Sequence, residues 1–334
     1  MRIRLPIALL LAGAALLGGC KSKPVSPAHQ LSQAAKGPAK NLPHDIKLLF
    51  LKGSCERGVF SPDGRSALAL CTQPEGPALP QLYSVDLDGF SEKRVTWQDG
   101  SIGSADWLEN DLLVYASTTD ELKEIPFLPT KPPPEEIPSD LYISDRVGDS
   151  IDRLTKRIGF DGDLSYWPRG KEVLYVSRRG KDDLIQRING RGKSAIVYHS
   201  RGRSVRSPAG LANGQVAWLE SSPDGSGVDL RFSGMKEPRL RGRRLLSLRP
   251  APGGQAVIAV ESFADGSARV LLVGAPASCE RTLAEVPLDL RAADGSLNPP
   301  RLLLSVTTGT QGVFALKELP GEGFSCPPPA ASVK

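Results

Sequence analysis

The chain has 334 residues, with 42 Lys and Arg against 37 Asp and Glu, for a formal net charge of +5. Hydrophobic residues make up 40%, charged residues 24% and aromatics 6%, which excludes a disordered chain and a multi-span membrane protein. The 34 Gly and 29 Pro imply many turns, and three His and two Met leave little material for a metal or haem enzyme. A charge of +5 on a chain of this size is too weak to argue for nucleic acid without a concentrated patch.

Arg2 and Arg4 precede an apolar run from Leu5 to Leu17. A charged start and about thirteen apolar residues suit a secretory signal and fall short of the roughly 20 that a spanning helix needs. The run ends in Leu17-Gly18-Gly19-Cys20, which resembles the bacterial lipobox. That resemblance implies loss of residues 1–19, acylation of Cys20 and a lipid anchor; several acyl chains hold a protein stably on a membrane where one does not. Lys21, in place of Asp, implies the outer membrane, with the chain facing the periplasm or the surface. Residues 20–45 contain four prolines and little that could build a core, and read as a flexible tether. His29 and His44 fall there and read as solvated.

Beyond the tether the chain consists of short apolar runs separated by Gly, Pro, Asn and Asp. Asp-Gly occurs seven times, and Asn-Gly occurs at 189–190 and 213–214. Both dipeptides accept φ > 0 and favour tight hairpin turns, so an all-β fold is expected. The strongest strands lie at 67–70, 112–115, 173–176, 216–219, 257–260 and 302–304. Taking residues 68, 113, 174, 217, 258 and 303 as equivalent gives steps of 45, 61, 43, 41 and 45. Each is followed by a second strand, at 82–86, 141–145, 184–188, 230–232, 270–273 and 313–316. Six such units predict a six-bladed β-propeller of four-stranded antiparallel blades over 46–326, with a disordered tail at 327–334. The last unit lacks a fourth strand, and the apolar segment 46–51 precedes the first. The expectation is that this segment supplies the missing strand and closes the ring.

The repeat has recognisable wording. Phe60-Ser61-Pro62-Asp63-Gly64-Arg65, then Leu82-Tyr83-Ser84-Val85-Asp86-Leu87-Asp88-Gly89, then Arg94-Val95-Thr96 resembles the repeat of TolB-like propellers. Leu141-Tyr142-Ile143-Ser144-Asp145 and Arg153-Leu154-Thr155 repeat it in the second unit. The resemblance implies the propeller fold; blades of this kind serve unrelated functions.

Four cysteines remain in the propeller, an even number suited to disulfides in an oxidising envelope. Cys55 and Cys71 flank the Ser61–Gly64 turn symmetrically, either as a bridge or as two buried thiols; Cys279 and Cys326 would form the second pair. No Cys-x-x-Cys or Cys/His spacing suggests zinc. No Gly-x-Ser-x-Gly nucleophile motif occurs. His199 is the one histidine inside the propeller and reads as structural. No catalytic residue, metal ligand or cofactor is assigned. The Asp-Gly pairs, including Asp161-Gly162-Asp163, read as turns rather than calcium loops.

Arginine clusters in three places: Arg178, Arg179 and Lys181; Arg201, Arg203 and Arg206; and Arg239, Arg241, Arg243 and Arg244. Loops between second and third strands share a face with the connections between blades. The ten charges are therefore either one basic face for carboxylate or phosphate, or charged protection of edge strands. The insertion at 120–139 carries six prolines and five Asp or Glu. It reads as an extended loop on that face, a passive insertion or a docking segment. The function expected is a membrane-anchored, non-catalytic scaffold for an envelope protein or anionic glycan, with no nucleic acid. The alternative is a propeller enzyme, hydrolase or lyase, acting on envelope glycan or peptide.

Overall fold

The computed structural model describes residues 45–76, 78–120, 138–275, 279–308, 311–320 and 323–326. The signal sequence, Cys20, the tether up to residue 44, insertion residues 121–137 and the tail at 327–334 lie outside the described residues. The described residues form 24 strands in six four-stranded antiparallel sheets, and no helix.

Blade 1 is β2 (Ser54–Phe60), β3 (Ser66–Thr72), β4 (Gln81–Asp86) and β5 (Glu92–Arg94). Blade 2 is β6 (Ile102–Glu109), β7 (Leu112–Ser117), β8 (Asp140–Asp145) and β9 (Ile151–Arg153). Blade 3 is β10 (Phe160–Trp167), β11 (Glu172–Arg179), β12 (Asp182–Asn189) and β13 (Ser194–His199). Blade 4 is β14 (Val205–Gly210), β15 (Val216–Ser221), β16 (Val228–Phe232) and β17 (Leu240–Arg243). Blade 5 is β18 (Leu245–Pro250), β19 (Ala256–Ser262), β20 (Ala268–Gly274) and β21 (Glu280–Val286). Blade 6 is β22 (Leu290–Leu297), β23 (Pro300–Thr308) and β24 (Gln311–Glu318), completed by β1 (Ile46–Phe50). β1 runs antiparallel to β24, from Ile46↔Lys317 to Phe50↔Val313. The N-terminal segment closes the ring, as its surplus in the sequence suggested.

The core lies between blades. Each of its six apolar clusters joins one blade to the next, from Leu49 and Phe314 against Tyr83 and Val85 around to Ala251 and Val260 against Leu302 and Leu304. Second strands such as β3 and β19 are covered on both sides and buried along most of their length. They therefore read as unbroken apolar runs rather than alternating ones, which is why they carried the period.

The repeat motifs are hydrogen-bonding devices. Ser61 Oγ donates to the Asp63 carboxylate (2.6 Å), Ser66 N–H donates to Ser61 Oγ (3.0 Å), and Gly64 takes φ +71. Thr96 Oγ1 accepts Leu82 N–H and donates to Gln81 (both 2.9 Å), while Arg94 Nε returns to the Thr96 carbonyl (2.6 Å). Thr155, Leu141, Asp140 and Arg153 repeat this hook in blade 2. Two of the Asp-Gly pairs are not turns: Asp161-Gly162 lies inside β10 and Asp294-Gly295 inside β22. Their glycines admit close neighbours, since a Cβ at Gly162 would meet the Phe160 ring and one at Gly295 the Phe324 ring. Cys55 and Cys71 are bridged across β2 and β3, and Cys279 and Cys326 tie blade 5 to the end of the propeller.

All six tyrosines ionise late in the fold. Burial leads at each: Tyr115 and Tyr198 are pushed up to about 12, the second also by Glu220, and Tyr83, Tyr142, Tyr166 and Tyr175 move the same way. The folded value lies above the unfolded one near 10, so this stability is complete below pH 10 and is lost as pH rises through the folded values. Tyr115 alone accounts for about 2–3 kcal/mol by pH 12. Tyrosinate absorbance should lag an ordinary tyrosine titration in buffer and follow it in denaturant; identical curves would contradict the packing.

Candidate functional site

Antiparallel order places the loops between second and third strands, and the connections between blades, on one face, called upper here. Each inner strand breaks its ladder at or above mid-height, between Cys55/Arg57, Ile102/Ser104, Gly162/Ser165, Arg206/Ala209, Leu245/Ser247 and Leu290/Ala292. A bulge leaves a residue unpaired and re-aims side chains. Asp163 and Ser207, within two of these bulges, take φ +45 and +51. The upper mouth is a cavity of about 800 Å³, walled mainly by blades 1 to 4 and lined by the bulge residues Glu56, Gly103, Asp163 and Leu246.

Its floor is charged. Arg57 reaches from β2 to Asp163 on β10 (3.2 Å), and Asp163 also accepts Ser207 N–H from blade 4 (2.5 Å). Further in, the channel narrows to a chamber of about 40 Å³ to which all six inner strands contribute. Arg249 of blade 5 crosses it to Asp106 of blade 2, diametrically opposite (2.8 Å), and lies 3.6 Å from Asp294 of blade 6. Asp106 accepts Tyr166 N–H from blade 3 (2.7 Å), and Asp294 accepts Phe60 N–H from blade 1 (2.8 Å). One triad thus touches blades 1, 2, 3, 5 and 6. Burial lifts the Asp294 carboxyl above its ordinary range against the pull of Arg249. Burial also opposes charge on Arg249, but Asp106 and then Asp294 outweigh it, so the guanidinium stays charged.

Of the ten basic residues singled out from sequence, Arg178, Lys181, Arg203 and Arg206 line the cavity. Three of these are already held. Arg178 grips Asp183 with two bonds (2.7 and 3.0 Å), Arg203 meets buried Glu220 (2.6 Å), and Arg206 donates to the Leu245 carbonyl (2.5 Å). Asp183 in turn accepts Val205 N–H (3.0 Å), which ties blade 3 to blade 4. Lys181 is exposed and makes no ion pair among the described residues.

The other six stand outside the cavity. Arg179 pairs with Asp161 (2.7 Å), whose carboxyl burial pushes up despite Ser177 and Arg179. Arg241 pairs with Glu237 (2.5 Å), and Arg243 with Glu261 and Glu280 (3.4 and 3.3 Å). Arg201 and Arg244 are exposed on the upper connections. Arg239 lies at the opposite end of its blade, donating to the Gly274 carbonyl (3.2 Å), because the loop before β17 emerges on the lower face. His199 sits at the end of outer strand β13, 3.1 Å from Asp182, and does not line the cavity. Among the described residues no three His, Cys, Asp or Glu side chains are grouped to hold a metal ion.

The chain matches no family model and no curated protein. Its fold is similar to TolB from Acinetobacter baumannii, at 15% identity over 90% of this chain and 72% of that one, with a TM-score of 0.55. The fold is that of TolB-like propellers. A putative TolB from Agrobacterium tumefaciens is 18% identical over 80% of this chain and 90% of that one, at TM-score 0.53. An oligogalacturonate lyase from Vibrio parahaemolyticus is 14% identical over 80% and 77%, at TM-score 0.52. Similarity at this level shows the fold alone.

Proposed function

We propose that the chain is a lipid-anchored bacterial envelope protein of the outer membrane whose propeller is a non-catalytic scaffold. Its upper cavity receives an anionic group of an envelope protein or glycan. The observation that carries this reading is the charge and order of the cavity wall. Arg57, Arg178, Lys181, Arg203 and Arg206 face it against Glu56, Asp163 and Asp183. Arg178, Arg203 and Arg206 are oriented by their own partners before any ligand arrives, so little side-chain freedom is lost on binding carboxylate or phosphate. The position of His199 on an outer strand supports a binding rather than a catalytic role, and the lipobox-like Leu17–Cys20 supports the anchor.

The test is fluorescence anisotropy of a labelled acidic oligosaccharide and an acidic peptide with the detergent-solubilised full chain, at low and high salt. Binding should weaken with salt. Lys181→Glu should cost about tenfold or more in affinity with an unchanged melting temperature. Binding unchanged by Lys181→Glu would reject the cavity. Shortening of the oligosaccharide on incubation would replace the scaffold with the enzyme alternative.

A further inference from the structure

A second surface stands apart from the cavity. An exposed sheet edge is a template for another strand, and natural proteins blunt such edges with charge or brevity. The outer strands here are β5 (Glu-Lys-Arg), β9 (Ile-Asp-Arg), β17 (Leu-Arg-Gly-Arg), β21 (Glu-Arg-Thr-Leu-Ala-Glu-Val), β1 (Ile-Lys-Leu-Leu-Phe) and β13 (Ser-Ala-Ile-Val-Tyr-His). β13 alone among them contains no Asp, Glu, Lys or Arg. It is six residues long, about 20 Å of edge, and it pairs only with β12 among the described residues. Ser194, Ala195, Ile196 and His199 are exposed, Ile196 to 64%.

The surroundings of this edge are strongly basic. Residues 154–206 hold thirteen Lys and Arg against five Asp and Glu, an excess of eight in a chain whose total is +5. All five carboxylates are engaged: Asp161 by Arg179, Asp163 by Arg57, Glu172 by Arg187, Asp182 by His199 and Asp183 by Arg178. Arg191 and Lys193 precede β13, and Arg201 follows it, all exposed and without an ion pair among the described residues. An uncharged edge is thus bracketed by cations at both ends.

We infer that β13 accepts an extended partner segment as a fifth strand of blade 3, and that this segment has a β-branched, uncharged centre with acidic residues at both ends. Main-chain bonds along β13 supply affinity, and the terminal cations select the partner and its register. A second copy of this chain fits poorly, because antiparallel pairing of β13 with itself about Val197 sets Lys193 opposite Arg201, and like charges across a ladder repel.

The test uses the full chain in detergent and a labelled short peptide with alternating Val and Thr flanked by Asp and Glu. Two control peptides carry a central Pro or Lys in place of the flanking acids. The acidic peptide should bind at low salt and slow deuterium exchange across 194–199, while both controls fail. Ile196→Lys, at an exposed position, should weaken binding by about tenfold or more at an unchanged melting temperature. Lys193→Glu with Arg201→Glu, also exposed, should weaken the acidic peptide and admit the Lys-flanked one. Equal binding of the Pro peptide, no protection across 194–199, or insensitivity to Ile196→Lys would overturn strand addition. Self-association abolished by Ile196→Lys would also overturn it, by making the occupant a second copy.

Discussion

Deleting residues 46–50 should unfold the whole ring rather than trim one blade. β1 contributes five ladder pairings to β24 and places buried Leu49 in the cluster that joins blades 6 and 1. Ile46 and Leu48 pack on the cluster between blades 5 and 6. Apolar burial and ladder bonds together are of the order of 5 kcal/mol, against a total of about 5–15 kcal/mol for a typical domain. The deletion also bares the edge of β24. The expected result is loss of the cooperative calorimetric transition and binding of a hydrophobic dye. Leu49→Asp should act in the same direction with the chain intact. A melting temperature equal to that of the parent would refute closure by β1.

The second large effect is at Arg249. Arg249→Met should cost about 3–5 kcal/mol, the usual result of leaving a buried partner charge uncompensated. Here two buried carboxylates, Asp106 and Asp294, would be left without their cation. The penalty should depend on pH. Uncompensated buried carboxyls have folded pKa values above their unfolded ones, so the variant is least impaired in acid and loses stability as pH rises. Asp106→Asn and Asp294→Asn, added to Arg249→Met, keep acceptors for Tyr166 and Phe60 N–H. They should recover most of the loss. Denaturant midpoints across pH measure this; an Arg249→Met penalty independent of pH would show that the triad carries no charge coupling.

The blades were legible because their second and third strands are buried on both sides, so Leu68, Leu174 and Ile258 stand in uninterrupted apolar runs. The closing strand was legible as a surplus, and Cys55–Cys71 as a pair symmetric about a turn. The outer strands β5 and β9, three residues each, are too short to show alternation and are marked only by the Arg-Val-Thr and Arg-Leu-Thr that start at their last residues. The channel was not legible either. Arg57, Asp106, Asp163, Arg249 and Asp294 come from five different blades, and only ring closure brings them together. Asp161-Gly162 and Asp294-Gly295 look like turns because the dipeptide serves equally for a close approach of packed rings. The arginine clusters were visible, but not that Asp183, Glu220 and Asp161 already held three of them. The bare edge at β13 was present in the sequence; its meaning depends on its being outermost, which only the fold shows.

The pairing of β1 with β24 also sets an order of events. The strand that leaves the ribosome first can dock only after nearly all the rest has been made, because Ile46 pairs with Lys317. Such a contact has very large sequence separation, and the entropy of bringing its ends together must be met before it yields any stability. Blades 1 to 5 each form from local hairpins, whereas the ring is joined in a single late step. A nascent chain exposes the flank of blade 1 and, later, the edge of β24 until that step is complete. Loss of a few residues from either end of the propeller is therefore equivalent in kind, since both ends supply halves of one seam.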